Sequence, residues 1–177
     1  ETTLEYLDGQ PAEESSPAWQ HHTNTFEKLT VRAGIDKHYG DPRALDLEKY
    51  LLYSGLTQGL MYGYSLDSMR ANPNCHGGLF WMYADCWGEV GWTIVDYYLR
   101  RKPSFYFVRR TFQPLRLVLR PGGASAIRVI AANDLPEEQA FELEYGYIRL
   151  DGRAGDVRRE RVSIPGMARV EVARIER

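Results

Sequence analysis

The chain has 177 residues but only two cysteines, Cys75 and Cys86. Two thiols are too few for a disulfide framework or for a structural zinc site. They are expected to be buried and to act as small apolar groups rather than reactive ones. No stretch of about 18 consecutive apolar residues occurs, so no membrane span is predicted. Neither sign of charge dominates: 22 Lys and Arg against 24 Asp and Glu leave a net charge of -2. A chain this close to neutral lacks the field that binds nucleic acid or a membrane surface, and neither partner is expected. There is no phosphate-cradling glycine loop, serine nucleophile elbow or zinc motif. His21 and His22 have no third ligand at metal spacing, which leaves a helix-surface or interdomain role. Asp96 with Arg100, Arg101 and Lys102 reads as an ion-pair network, not a phosphate site. No initiator Met and no secretory leader open the chain. Glu1 is therefore expected to stand inside a longer gene product or at a processing site, and the compartment stays open.

What is present is enough for a core: 44% of residues are apolar and 26% charged, as in globular proteins. The aromatic residues are unevenly spread. Residues 1–110 hold 18 of the 22, including all four Trp, and also all four His and all four Lys. Beyond them Arg is the only base, 11 against 10 acids. So sharp a shift predicts two structural units, 1–112 and 113–177.

The first half reads as helical with one strand. Thr3 to Leu7 forms a short helical turn, and Asp8 to Ser16 a polar loop. Ser16-Pro17 has the cap-then-proline order of a helix start, and Asp41-Pro42 repeats it. The strongest helix runs from about Ala44 to Met69. Leu47, Leu51, Gly55, Gln58, Tyr62, Leu66 and Met69 recur there at three- and four-residue steps. Gly55, Gly59 and Gly63 share one face, at about 1 kcal/mol each in lost helix propensity; the face is expected to lie very close to another backbone or helix. Asn72-Pro73-Asn74 ends the helix. Gly77 to Tyr83 reads as a strand apolar on both faces, as in a buried parallel sheet. A loop follows with Asp85, Cys86, Trp87, Glu89, Trp92 and Asp96, then a helix from Pro103 through Arg110.

The second half alternates. Leu115 to Arg120, Ile127 to Ala131, Phe141 to Tyr147, Val157 to Ile164 and Met167 to Ile175 read as five antiparallel strands. Turns at Pro121-Gly122-Gly123, Asp151-Gly152 and Pro165-Gly166 separate them. A sandwich of the immunoglobulin type takes about seven strands, so an edge is expected to be left for further chain to cover.

The stretch Gly77 to Pro103 resembles the last barrel strand and following helix of glycoside hydrolase family 2, in its β-mannosidase branch. Trp81, Asp85, Trp87, Trp92, Asp96, Tyr97, Tyr98, Arg101, Lys102 and Pro103 fall on that pattern. Ser16-Pro17 with His21-His22 is similar to a stretch that precedes it in such enzymes. The resemblance covers about the first two-thirds of the chain. It implies an α/β part, the end of a (β/α)8 barrel (helix 7, strand 8, helix 8), followed by an all-β immunoglobulin-like sandwich. The parent would be a retaining exo-acting glycosidase whose substrate is a β-glycoside and whose partner is the remainder of the parent chain. No cofactor follows.

Such enzymes need two carboxyl groups about 5 Å apart. The family places them on strands four and seven, so both are expected upstream of this chain. Glu1 is not expected to be the nucleophile, no catalytic residue is assigned, and the chain alone is expected to be inactive. The resemblance implies that Trp81 serves as an apolar platform for the sugar at the cleavage point. Asp85, Trp87 and Trp92 complete the substrate-binding candidates. Asp85 either binds a hydroxyl or pairs with a barrel Arg, and the two tryptophans either line the entrance or pack the loop. Asp85 with Glu89 as a catalytic pair is disfavoured, because strand-plus-loop spacing does not fix a 5 Å separation. Met82, Ala84 and Gly88-Glu89 depart from the family pattern, which leaves β-galactoside and β-glucuronide branches open. The alternative reading is a non-catalytic carbohydrate-binding or interaction module that uses the Trp-rich loop.

Overall fold

The computed structural model describes residues 2–10, 13 and 15–176. The expectations about Glu1 therefore lie outside the described residues. The chain divides into two compact units, 1–65 with 79–110 and 66–78 with 111–177.

In the first unit, α1 (Thr2–Leu7) is followed by α2 (Pro17–His22). Ser16 caps α2 as expected: its hydroxyl accepts the Trp19 N–H at 3.4 Å, and Pro17 takes the first helical position. Asn24 starts the next element, its Oδ1 accepting the Phe26 N–H at 2.9 Å. A π-helical stretch, Phe26–Val31, runs on into α3 (Arg32–Tyr39). Asp41-Pro42 opens only a short 3-10 turn, Pro42–Ala44. The long helix, α4 (Leu47–Ala71), starts later than the periodicity predicts because Asp46 is its cap, accepting the Lys49 N–H at 2.8 Å. Leu7, Trp19, Phe26, Val31, Ile35 and Tyr50 form one buried cluster, with Trp92 packed against it.

The glycine face of α4 is explained by α5 (Pro103–Thr111). A Cβ on Gly55 would stand 2.8 Å from the Pro103 ring, and one on Gly59 would run into the Phe107 ring. Close approach is what these glycines supply, at the cost in helix propensity noted above.

The expected strand at Gly77 to Tyr83 is not a strand here. The segment is extended, but no ladder forms along it. A strand apolar on both faces needs neighbours on both flanks, and no described segment supplies them. The chain instead ties back after Tyr83. Val95 N–H donates to Tyr83 O at 2.9 Å, Asp85 N–H to Val95 O at 3.0 Å, and Lys102 N–H to Ile94 O at 2.9 Å.

The second unit is antiparallel. β1 (Leu115–Pro121), β2 (Ala126–Asn133) and β5 (Arg169–Glu176) form one sheet in the order β1-β2-β5. β3 (Gln139–Ile148) and β4 (Ala154–Ile164) form a second sheet, a hairpin. Val118, Val129, Ala131, Leu143 and Ile164 are among this unit's buried side chains, drawn from both sheets. Asn133, fully buried, fastens two turns. Its amide donates to Glu137 O at 2.9 Å and Pro165 O at 3.1 Å, and its Oδ1 accepts the Leu135 N–H at 3.0 Å. The last turns of α4 belong to this unit and are held by arginines. Arg116 forms an ion pair with Asp67 at 2.8 Å, Arg120 donates to the Ser68 hydroxyl, and Arg70 donates to Asp134 at 2.6 Å. The whole is an α/β portion with sandwich-like strands.

Candidate functional site

The candidate residues do not converge on one point. They occupy three neighbourhoods of the first unit, joined by main chain that α4 holds in place.

Trp81 is 70% exposed, between Leu79 at 99% and Tyr83 at 60%. Phe80 turns the other way and packs on Tyr62, ring centres 5.4 Å apart. Alternation therefore survives in this extended segment, with Leu79, Trp81 and Tyr83 outward. The Trp81–Met82 peptide is cis.

Asp85 is buried, and its charged partner is Lys102 rather than the expected arginine. Its Oδ1 accepts the Thr93 hydroxyl at 2.7 Å, and its Oδ2 lies 3.2 Å from Lys102 Nζ, which also donates to Thr93 Oγ1 at 2.6 Å. Burial pushes the carboxyl above its usual range, against the opposing pull of Lys102 and Thr93. Burial also lowers Lys102, against the pull of Asp85. Both directions say the same thing: desolvation of this pair outweighs its attraction.

Trp87 lies over the histidine pair, stacked on His22 at 5.1 Å and edge-on to His21 at 4.9 Å. His22 Nδ1–H donates to Gly88 O at 2.6 Å, and the His22 ring stacks on Tyr6 at 5.0 Å. The adjacent histidines thus serve aromatic packing. Among the described residues no group of His, Cys, Asp or Glu is placed to hold a metal ion. Trp92 is half-buried and stacks on Phe26 at 4.0 Å.

Three residues that carry this arrangement were not singled out as functional by their spacing. Gln58 belongs to the periodic stripe of α4, yet it is a buried clamp. Its Nε2 donates to the carbonyls of Gly91, Trp92 and Thr93 at 3.0, 2.8 and 3.1 Å, and its Oε1 accepts the Ser104 hydroxyl at 2.8 Å. Tyr62, one turn on, donates to Trp92 O at 2.7 Å and also lies against Trp81 O. Glu27 is fully buried in the π-helical stretch. One carboxylate oxygen takes Tyr50 and Arg32, while the other has no hydrogen-bond partner among the described residues. Glu27 lines a cavity of about 350 Å³ with Ser54, Gln58, Glu89 and Asp96. A polar residue inside a helical stripe is the only sequence sign that Gln58 gives, and it marks burial, not role.

Glu89 takes the Asn24 amide, so Asp85 and Glu89 each have a partner of their own. Cys86 is exposed and Cys75 partly so, both free. This corrects the expectation of buried thiols: Cys86 sits in a loop whose carbonyls and carboxylates, not its thiol, carry the packing.

No protein-family model matches the chain. Beta-mannosidase B of Aspergillus terreus is 31% identical over 135 residues, 67% of this chain and 16% of the relative. Beta-mannosidase B of Emericella nidulans is 40% identical over 81 residues, 44% of this chain and 10% of the relative. The chain therefore spans a small part of the curated relatives it matches. The crystal structure of β-D-mannosidase from Dictyoglomus thermophilum matches with a TM-score of 0.70 at 30% identity, over 74% of this chain and 16% of that one. An exo-chitosanase of Amycolatopsis orientalis matches over 97% of this chain and 22% of that one, with a TM-score of 0.71 and 18% identity, a likeness of fold alone. Sequence and fold together make the chain β-mannosidase-like, similar to a C-terminal region of glycoside hydrolase family 2.

Proposed function

We propose that the chain is part of a retaining exo-β-glycosidase that removes terminal β-mannosyl groups. On this reading residues 1–112 complete a (β/α)8 barrel, with Gly77 to Tyr83 as its closing strand, and residues 113–177 begin an immunoglobulin-like sandwich. One Glu outside the chain attacks the anomeric carbon, and another protonates the leaving oxygen. The chain supplies a wall: Trp81 offers its indole face to the C–H face of the sugar. Trp87 borders the entrance, while Asp85 and Trp92 hold the loop that carries it. No cofactor enters this mechanism.

The observation that carries the reading is the exposed Trp81 on an unpaired apolar segment, in a chain similar to β-mannosidases. An exposed indole flanked by Leu79 and Tyr83 is costly unless something covers it. Neighbouring strands and a sugar together would do so. The relatives named above are β-mannosidases and an exo-chitosanase, so the mannoside is preferred over the galactoside.

The test is hydrolysis of 4-nitrophenyl β-D-mannoside by the complete polypeptide that carries this chain. Trp81→Ala is expected to lower kcat/KM at least about tenfold, the loss of one well-packed aromatic contact. The 177-residue chain alone is expected to give no turnover. Turnover by that chain which survives both Trp81→Ala and Asp85→Ala would place the chemistry elsewhere. Saturable mannoside binding by the complete polypeptide without hydrolysis would favour the binding-module reading.

A further inference from the structure

We propose that Tyr62 is a positioning residue for the sugar-facing tryptophan, fixing the Trp81 main chain, and through it the indole, against the Trp92 segment. This rests on the reading of Trp81 as the sugar platform.

The Trp81 indole has little else to fix it. It is largely exposed, and among the described residues no ring contact or side-chain hydrogen bond engages it. Its orientation must come from its own backbone. Among the described residues that backbone meets one side-chain donor, the Tyr62 hydroxyl, which lies against Trp81 O and donates to Trp92 O at 2.7 Å. A phenol has one hydrogen, so two carbonyls from residues 11 apart in sequence share it. Sharing draws the two segments to one point.

Tyr62 is itself well held. It is buried on α4, one turn from Gln58, which clamps the carbonyls of residues 91–93. Its ring packs on Phe80, the residue before Trp81. With Phe80 turned inward onto Tyr62, alternation turns Trp81 outward. Ring and hydroxyl thus act on successive residues: one sets which way Trp81 faces, the other where it stands. Burial raises the Tyr62 hydroxyl to about 12, so it stays a donor across the pH range of enzyme action.

The step from placement to rate is geometric. A platform displaced by even a fraction of an ångström packs less well on the sugar in the transition state. Tyr62→Phe keeps the ring on Phe80 and removes only the shared donor.

A double-mutant cycle tests this in the complete polypeptide, with 4-nitrophenyl β-D-mannoside as the probe. Tyr62→Phe, Trp81→Ala and the double variant are compared with wild type in kcat and KM. The expected result is that Tyr62→Phe lowers kcat/KM about tenfold, the scale of a buried acceptor left without its donor. In the Trp81→Ala background the same change costs less than about twofold, because the group it positions is gone. The shape of the pH–rate profile stays that of wild type, as expected for a group that does not titrate in the working range. A Tyr62→Phe variant with wild-type kcat/KM overturns the proposal. So does an equal fold-loss in both backgrounds, which is what general destabilisation would give. If Trp81→Ala leaves kcat/KM unchanged, the platform reading fails first and takes the proposal with it.

Discussion

Between Leu115 and Pro121, seven consecutive residues find partners along β2. Between Trp81 and Thr93, backbone bonds reach Tyr83, Asp85 and Val90 without forming a ladder, and side chains take other carbonyls: Gln58 and Tyr62 meet those of Trp81, Gly91, Trp92 and Thr93. The difference is one of redundancy. A ladder spreads its satisfaction over many backbone groups, and no single side chain decides it. The tryptophan loop rests more of its satisfaction on a few side chains, chiefly two residues of one helix and one ion pair. It can therefore hold a shape that no sheet would impose, and a single substitution can undo it.

The sharpest break of that contrast lies at the buried pair. Lys102→Met leaves the Asp85 carboxylate buried without its counter-charge. The cost is expected to be about 3 kcal/mol or more, read as a lowered midpoint in urea unfolding of the 177-residue chain. Lys102→Met combined with Asp85→Leu should recover much of that loss, because desolvation already outweighs the attraction of the pair. If the single variant were neutral, the loop would not depend on this pair.

Next in size is Gln58→Leu, which strips one amide from three carbonyls and the acceptor from Ser104. A loss of about 2–3 kcal/mol is expected. Amide exchange should separate it from a global effect: faster exchange at Ile94, Val95 and Lys102, with the amides of β2 unchanged until the whole chain opens.

Where the sequence was readable, a local rule and the tertiary environment agreed. Ser16 caps, Pro17 follows, and the helix starts. The glycines of α4 foretold a close approach, and Pro103 and Phe107 supply it. The alternation after Leu115 placed five strands within a few residues of their observed ends. Strand order was beyond reach: β2 takes β5 as its second neighbour, and nothing in either strand's alternation names its partner. At Gly77 to Tyr83 an apolar composition was read as a buried strand, and no ladder forms there. Pairing belongs to two segments and not to one, and composition names only one of them. Gln58 and the Asp85–Lys102 pair were opaque for a related reason. A polar group in an apolar stripe announces burial but not its partner, and a carboxylate and an amine 17 residues apart are joined only by the fold.

A smaller effect comes from alkaline titration. Free tyrosine ionises near pH 10, whereas burial raises Tyr62 to about 12. Between those values the unfolded chain has released a proton that the native chain still holds. Stability contributed by Tyr62 is thus complete below pH 10 and is lost as pH rises toward 12, by roughly 2 kcal/mol. Tyr62→Phe should flatten the fall of the unfolding midpoint over that interval. Tyr6, also raised to about 12 by burial, leaves part of the slope in place.

The least effect is expected in the hairpin of β3 and β4. Arg159 pairs with Glu144 at 2.7 Å, a shorter contact than Asp85 with Lys102, but both side chains are more than half exposed. Water already solvates the two charges, so removing one strands nothing. Arg159→Ala should move the thermal midpoint by less than about 2 °C. Distance alone would rank this pair above the buried one. A shift as large as that of Lys102→Met would mean that the ladder, too, hangs on single side chains, and the contrast between the two regions would disappear.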